Sequence, residues 1–463
     1  MAADKIKSSQ IDLTEGGVAS GLMRFMWPII LGNLFTQVYN MVDSIIVGRF
    51  LGGEALAAVG SSFSITMMIY SFCISVGAGA TVVISQCYGA HDKENMDKTA
   101  NTALVLALVV GIAITIGFGL SARGLLNLLN TPSNIYEDAY TYYIIVVIGT
   151  VGHLYYQMGS SILRGLGDSA WPLRLLIFCS VFNILADLLF VVKFDMGVAG
   201  AAWATILAQL ISGIAVVFRL CGKRYGITVS PGTLRIDGSI AKSMLKIGIP
   251  AGMQQLVFAA GSSVVQSFTN SFGSDVVAAQ STIIKIDGFI MLPMQAIGTS
   301  IQTFVGQNIG ANKTERLKEG SRLAMLFCAV ISVGLGIVIM AIAPLGVSLF
   351  TSEKEIIRIG AIGLRTLGCF YIFMAANQVL TGIVRGAGAS FVPMVCAFIN
   401  IAVRIIIGYL LAIRGVFVYN NEPFRGLWYA MIISNFISIA IMWMYYRKGT
   451  WKNARIAQVR AKI

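Results

Sequence analysis

Residues 162–172 read ILRGLGDSAWP, and residues 383–393 read IVRGAGASFVP. The two stretches carry Arg, Gly, Gly and Pro at the same positions, at an offset of 221 residues. The same offset aligns SVGAGATVVISQCYGAHDKEN at 75–95 with AIGTSIQTFVGQNIGANKTER at 296–316. Motifs that recur at one fixed offset indicate a duplicated structural unit. The sequence therefore predicts two homologous halves.

The composition indicates a membrane protein. Of the 463 residues, 56% are hydrophobic and 12% charged, whereas soluble domains carry about 25% charged residues. Apolar runs of about 20 residues, each long enough to cross a bilayer as a helix, recur along the chain. We predict an all-α polytopic protein with twelve transmembrane helices, near 25–47, 56–86, 102–120, 140–161, 173–193, 197–218, 247–270, 278–305, 323–344, 361–383, 392–413 and 427–446.

The repeat sets the arrangement of these spans. Each half has an even number of spans, so both halves enter the membrane with the same orientation, as parallel repeats do. We expect two pseudo-symmetric six-helix lobes around a central cavity. The predicted organisation is an N-terminal segment 1–24, an N-lobe 25–218, a basic linker 219–246, a C-lobe 247–446 and a basic tail 447–463.

The distribution of Lys and Arg predicts the orientation. Of the 34 basic residues, 24 lie in the termini and in alternate connections, and eight lie in the opposite loops. By the positive-inside rule both termini are cytoplasmic, in a cell (inner) membrane. The N-terminal segment has no apolar core, so we expect no cleavable signal peptide. The net charge of +13 lies in short clusters between apolar runs, which argues against nucleic-acid binding.

Few charged residues fall inside the predicted spans, and such residues are functional candidates. Asp43 lies in the first span, Asn183 and Asp187 lie one turn apart in the fifth, and Thr205 lies in the sixth. Two carboxyl groups, an amide and a hydroxyl could form a site for H⁺ or Na⁺, because burial and a neighbouring carboxylate both favour proton uptake. Alternatively, Asp43 lies in the interface and Asp187 pairs with a neighbouring donor.

The repeat makes this site asymmetric. At the same offset the counterpart of Asn183 is Arg404, and that of Asp187 is Gly408. The two halves thus share a fold but not their charge. A chain with a cation site only in the N-lobe would show this difference.

Several other residues in the predicted spans are candidates for a role in transport. Pro28 in the first span could act as a hinge, although proline is also frequent in ordinary membrane helices. His153 could relay protons or simply pack, and Lys285 and Asp287 lie two residues apart and so should not face each other. Candidates to line the substrate cavity are Gln37, Tyr39, Asn40, Gln255, Gln280 and Asp287.

The sequence lacks the signatures of common catalytic sites and of nucleotide-driven pumps. It contains no H-E-x-x-H, P-loop or G-x-S-x-G motif. We therefore expect no enzyme activity, no cofactor and an ion gradient as energy source, with a small amphipathic substrate and a monomer in the bilayer. A lipid or oligosaccharide flippase is the second interpretation, for which Lys285 and Arg404 would supply intramembrane cations. A membrane-embedded enzyme is the third.

Several motifs together resemble the multidrug and toxic compound extrusion (MATE) family over residues 12 to 446. They are LTEG at 13–16, WPIILGNLFTQVYNMVDSIIVG at 27–48, LGGEALAAVG at 51–60, ILRGLGD at 162–168 and Gln307-x-x-Gly310. The resemblance implies a twelve-helix antiporter that exports amphipathic, often cationic compounds in exchange for H⁺ or Na⁺. It is closest to the DinF-like branch, whose N-lobe pattern is matched by Pro28, Asp43, Asn183, Asp187 and Thr205. Acids that another branch carries in the seventh and tenth helices are absent here.

Overall fold

The computed structural model describes residues 10–129, 131–230, 232–416, 422–454 and 456, and within these ranges it contains helices and no strand. The principal helices are α1 Val18–Phe50, α2 Gly52–Gly89, α3 Lys93–Leu120, α4 Ala122–Leu128, α5 Tyr136–Gly165, α6 Ala170–Asp187, α7 Gly197–Cys221, α8 Gly238–Asn270, α9 Ser274–Gly310, α10 Thr314–Ser348, α11 Lys354–Gly368, α12 Tyr371–Gly386, α13 Phe391–Gly408 and α14 Arg425–Lys448.

The helices confirm the predicted membrane architecture. In the described part of the chain, nine helical segments are long and apolar enough to cross a bilayer, and the bent pair α11 and α12 forms a tenth. Helices α5 and α8 contain 30 and 33 residues, more than the roughly 20 that a crossing needs. Ten of the twelve predicted spans lie inside one helix or the bent pair, and the other two, 173–193 and 392–413, continue from α6 and α13 into a π-helical turn. The short helix α4 was not predicted, because it is too short to cross.

The tenth span is broken. The sequence predicts one continuous run over 361–383, but α11 and α12 meet at an angle of 51°. The break follows Gly368, and glycine is a common residue at sharp helix kinks. The bend places α12 against α9 and α10 inside the C-lobe.

The backbone reproduces the repeat residue by residue. Helices α6 and α13 begin and end at positions that differ by 221, and each continues as a π-helical turn, Leu188–Lys193 and Tyr409–Ile413. The turn before each helix contains a glycine with positive φ, 90° at Gly167 and 104° at Gly388. A left-handed conformation favours glycine, which explains why both motifs keep it. The prediction of two homologous six-helix lobes around a central cavity is confirmed.

The two lobes meet where α2 and α9 end. A Cβ atom on Gly89 would lie 1.8 Å from the carbonyl oxygen of Gln307, and one on Gly310 would lie 2.1 Å from that of Gln86. Small residues let membrane helices approach this closely. The contact is reciprocal, so the pseudo-twofold axis passes between these two helix ends.

The same two glutamines bind the opposite lobe with their side chains. Gln86 Nε2 donates to the carbonyl oxygen of Gly386 at 3.2 Å, and Gln307 Nε2 donates to that of Gly165 at 2.9 Å. These acceptors belong to the last turns of α12 and α5, whose carbonyl groups have no partner within the helix. The two Oε1 atoms accept from backbone N–H groups near the chain ends, Leu13 and Ile456, each at 3.1 Å. Both described ends of the chain therefore lie on this membrane face.

The linker is tied to the N-lobe. Helix α7 extends to Cys221 and α8 begins at Gly238, so the mostly non-helical connection is 222–237. Asp97 on α3 accepts from the backbone N–H of Thr228 at 2.6 Å, and Tyr225 donates to Asp168 at 2.7 Å. Burial, followed by the charge of Asp168, raises the pKa of the Tyr225 hydroxyl, which therefore remains a donor. Within the predicted linker, residue 231 lies outside the described ranges, as do 1–9, 455 and 457–463 of the termini.

The close contact at Gly89 predicts that a larger residue at this position destabilises the protein. Gly89→Ala should lower the stability of the purified protein by about 1–3 kcal/mol, the usual cost of overpacking, because the added methyl group meets backbone rather than a flexible side chain. Thermal unfolding followed by tryptophan fluorescence measures the effect. Gly334→Ala is the matched control, since a Cβ there meets nothing within 4 Å. Equal stability of the two variants would contradict a tight contact.

Candidate functional site

The structure brings the two N-lobe carboxyl groups together. Asp43 lies in the C-terminal half of α1, and Asp187 is the last α-helical residue of α6, just before the π-helical turn. Their side chains lie within hydrogen-bonding distance of each other. Asp187 is fully buried and Asp43 is partly buried.

The amide and hydroxyl predicted to complete the site adjoin the carboxyl pair. Asn183, oriented to satisfy both of its polar atoms, donates to Asp187 Oδ2 at 3.1 Å and accepts from the backbone N–H of Thr205 at 3.2 Å. The Thr205 hydroxyl lies next to the Tyr39 hydroxyl. The four residues predicted for cation coupling, together with Tyr39, thus form one cluster on α1, α6 and α7.

This geometry suits a small cation. Two carboxyl groups can share a hydrogen bond only when one of them carries a proton, because two adjacent carboxylates repel. In the described structure Asp43 Oδ1 and Asp187 Oδ1 are buried without a hydrogen-bond partner. Such oxygens can accept a proton or coordinate Na⁺. Within the same residues no group of three or more His, Cys, Asp or Glu side chains could hold a metal ion.

An aromatic layer around the site was not predicted. Tyr142 on α5 and Tyr70 on α2 lie within electrostatic range of the Asp43 carboxyl group. Gln209 on α7 donates to the Tyr70 hydroxyl at 2.7 Å, and the Tyr70 ring stacks on His153 with centroids 4.1 Å apart. His153 Nε2 is buried without a partner among the described residues. No periodicity distinguishes these tyrosines from the other 14 in the sequence, since only the fold brings them to the carboxyl pair.

The residues predicted to line the substrate cavity fall into separate places. Tyr39 belongs to the carboxyl cluster. Gln37 faces α9, with its Nε2 atom 3.7 Å from where a Cβ of Gly288 would lie, so it is at the junction of the lobes. Asn40 is partly buried on the same helix, and its carbonyl oxygen accepts from Ser44 at 2.9 Å.

The other three candidates belong to the C-lobe. Gln255 is exposed on α8. Gln280 on α9 accepts from the indole N–H of Trp428 at 2.9 Å, and Asp287 accepts from the hydroxyl of Tyr371. Lys285 instead lies 5.5 Å from the ring of Phe350, so it and Asp287 diverge as the sequence predicts. The six candidates are not gathered at one site.

Three partly buried guanidinium groups lie near or inside the spans. Arg164 and Arg385 occupy equivalent positions near the ends of α5 and α12. Arg164 donates to Ser161 at 3.0 Å and Arg385 to Gln254 at 2.6 Å. The third, Arg404, lies inside α13. Arg164 and Arg385 follow the predicted spans 140–161 and 361–383 in the sequence, so they count as loop residues by backbone position. Their long side chains nevertheless reach several ångströms into a lobe.

Pro28 lies inside α1, which is helical on both sides of it. The residue lines a groove of about 630 Å³ together with Arg24, Arg174 and the segment before α1. Pro28 and Asp43 therefore lie on one helix, 15 residues apart. A change in bend at Pro28 would displace the part of α1 that carries Asp43.

Comparison with known proteins gives one family. The family model MatE matches residues 28–189 and 250–410, one match in each lobe. A probable multidrug resistance protein, YpnP of Bacillus subtilis (strain 168), is 33% identical over 96% of this chain and 98% of its own length. An FAD transporter of Shewanella oneidensis is 22% identical over 92% of this chain and 93% of its length.

A solved structure shows the same architecture. It is the outward-facing conformation of a multidrug resistance MATE family transporter, and it superimposes with a TM-score of 0.88 at 25% sequence identity. The match covers 96% of this chain and 99% of the other. Asp43, Asn183 and Asp187 lie within the first MatE match, and Thr205 lies between the two matches.

The close approach of Asp43 and Asp187 predicts a protonated carboxyl group at this site. The infrared spectrum of the purified wild type should contain the C=O stretch of a buried protonated carboxyl group. Difference spectra between wild type and Asp43→Asn, and between wild type and Asp187→Asn, should each show that the substitution removes this band. Asp195→Asn is the control, because Asp195 is exposed and its positive φ of 51° suits asparagine as well. A band that survives both site variants would show that the pair shares no proton.

Proposed function

The chain belongs to the MatE family of multidrug transporters, and from that premise we propose that it is a secondary antiporter. It exports amphipathic, mainly cationic organic compounds in exchange for H⁺ or Na⁺. The observation that carries this proposal is the contact of Asp43 with Asp187, whose two buried oxygens lack a partner in the described structure. Members of the family are transporters, which fits solute movement rather than catalysis.

The N-lobe cluster would couple ion binding to substrate release. When the pair holds one proton, its carboxyl groups attract each other through the shared hydrogen bond. A second proton or a Na⁺ ion changes this attraction and the hydrogen bonds that continue through Asn183 to Thr205. Because these residues lie on α1, α6 and α7, the binding event changes the packing of three helices at once. Each elementary charge that crosses 100 mV would contribute about 2.3 kcal/mol, roughly fifty-fold accumulation.

The remaining assignments follow from the predicted topology. We place the protein in the cell inner membrane with both termini in the cytoplasm, because most Lys and Arg residues lie in the termini and in alternate connections. The lobes 25–218 and 247–446 would move relative to each other about the linker 219–246, as parallel repeats commonly do. The protein acts as a monomer on a small amphipathic substrate, with no cofactor apart from the coupling ion and no nucleic acid.

A flippase for lipids or oligosaccharides is the second candidate. The partly buried Arg164, Arg385 and Arg404 favour it, because phosphate groups need cationic partners. The acidic pair in the N-lobe is more easily explained by antiport. Fluorescent lipid scrambled in proteoliposomes without any ion gradient would favour the flippase.

The coupling role is tested by transport in proteoliposomes under imposed pH and Na⁺ gradients, with a cationic dye as substrate. Wild type should transport under one of the gradients, which identifies the ion, and Asp43→Asn should reduce the rate to that of empty liposomes. Asp195→Asn, which removes an exposed acid, should behave as wild type. Undiminished transport by Asp43→Asn would remove the site from the mechanism.

The hinge role of Pro28 makes a separate prediction. Pro28→Ala restores a helical N–H and should make α1 harder to bend, so gradient-driven dye transport should fall severalfold while dye binding remains. Pro344→Ala is the comparison, because that proline also lies inside a helix, α10, but away from the carboxyl cluster. Equal rates for Pro28→Ala and wild type would show that the bend has no role.

A further inference from the structure

The C-lobe contains a cationic cluster formed by α13 and α14, in which Asn400 and Ser434 are buried and Arg404 is partly buried. Arg404 Nη2 donates to Asn400 Oδ1 at 3.1 Å, and its Nε donates to Ser434 Oγ at 3.4 Å. Asn400 in turn donates to Asn435 Oδ1 at 3.2 Å. All the acceptors are neutral, so the cluster keeps the full positive charge of the guanidinium.

The described residues provide no counter-ion for this charge. Arg404 forms no ion pair with them, and its Nη1 atom makes no hydrogen bond to them. In the C-lobe Asp287 is bound by Tyr371, and Glu422 is bound by Arg358 and Arg425. A charge kept within a membrane span without an opposite partner is costly, so the position of the partly buried Arg404 calls for an anion that the described residues do not supply.

The internal repeat shows that the position is meaningful. Arg404 is the counterpart of Asn183, the residue that binds Asp187 in the N-lobe. In each lobe the side chain at this position reaches the helix that follows, α7 in the N-lobe and α14 in the C-lobe. Equivalent sites therefore carry opposite charges, acidic in the N-lobe and basic in the C-lobe.

An apolar recess adjoins the cluster. It is formed where the tenth span breaks, between Phe370, Phe373 and Met374 on one side and Met431 on the other, and Asn435 closes it. Asn435 is thus shared between the recess and the hydrogen bonds that lead through Asn400 to Arg404. The recess has a volume of only about 10 Å³, so the apolar part of a substrate must displace its aromatic and methionine side chains to enter, and methionine is an adaptable side chain.

We propose that Arg404, with Asn400, Ser434 and Asn435, forms a substrate site in the C-lobe that binds the acidic group of a transported amphipathic compound. The substrates then include aromatic zwitterions and organic anions with a carboxylate or phosphate group, in addition to cations. The inference rests on the proposed transport function and names a substrate class for it. The unpaired Nη1 donor provides the hydrogen bond that discriminates such a compound from its neutral ester.

The test compares a rhodamine dye that bears a free carboxylate with the methyl ester of the same dye. The two differ by one negative charge on the same ring system. Binding to the full-length protein is measured by fluorescence polarisation in nanodiscs of phosphatidylcholine. Arg404→Gln should weaken binding of the acid dye at least tenfold, roughly the loss expected for a buried hydrogen-bonded charge pair, and leave the ester within about twofold. Arg404→Lys should retain more affinity for the acid dye than Arg404→Gln.

The matched control is Arg414→Gln, which removes an exposed guanidinium that donates to Tyr409 at 3.1 Å. It should bind both dyes as wild type does, and size-exclusion profiles should show that every variant is folded. Equal losses for acid and ester in Arg404→Gln would show a purely structural arginine, and no loss for either would show an unused one. Both results overturn the proposal.

A bound anionic lipid is the competing source of the same chemistry. If phosphatidylglycerol added to the nanodiscs displaced the acid dye from wild type but not from Arg404→Gln, the site would belong to a lipid headgroup and the proposal would fail. Transport of the ester dye under an ion gradient tests the antiport separately. If wild type did not transport the ester dye under any ion gradient, the proposed antiport would be contradicted, whereas the binding result would still stand.

Discussion

The structure depends on the reciprocal crossing of α2 and α9. At this point Gly89 and Gly310 each lie against a backbone carbonyl of the opposite helix, and a single methyl group would not fit. The neighbouring Gln86 and Gln307 use the space to reach carbonyl groups at helix ends in the opposite lobe. Backbone carbonyls buried at the end of a membrane helix must find a donor, since neither lipid nor the helix supplies one. Each lobe therefore completes the hydrogen bonding of the other.

This arrangement also brings the chain ends into the lobe contact. The glutamine side chains accept from Leu13 and Ile456, which precede the first span and follow the last. The membrane face with the chain ends is thus held by two equivalent sets of hydrogen bonds. Any conformation that opens this face must break both sets, whereas the carboxyl cluster lies in the opposite half of the molecule. Helix α1 carries both Pro28 and Asp43, so it would connect the proposed ion site at one end with closure at the other.

The duplicated fold holds two different chemistries. Both lobes use the fifth helix of the repeat, α6 or α13, to present a polar side chain to the next helix, and both extend that helix by a π-helical turn. In the N-lobe the result is a pair of carboxyl groups with buried, unpaired oxygens. In the C-lobe it is a guanidinium among neutral acceptors. A duplicated scaffold can change function in one half in this way, because packing depends on the apolar and glycine positions and leaves these polar positions free.

The sequence by itself determined the twelve spans and the repeat, and it singled out Asp43, Asn183, Asp187 and Thr205 as candidates for a cation site. Hydropathy and residue spacing are local properties, and a charged residue within an apolar run is visible without a fold. Only the tertiary structure decided that Tyr39, Tyr70 and Tyr142 surround the carboxyl pair, that the tenth span breaks, and that Arg404 has no counter-ion among the described residues. These features depend on contacts between helices distant in the chain, and no periodicity within one helix records which face meets which neighbour.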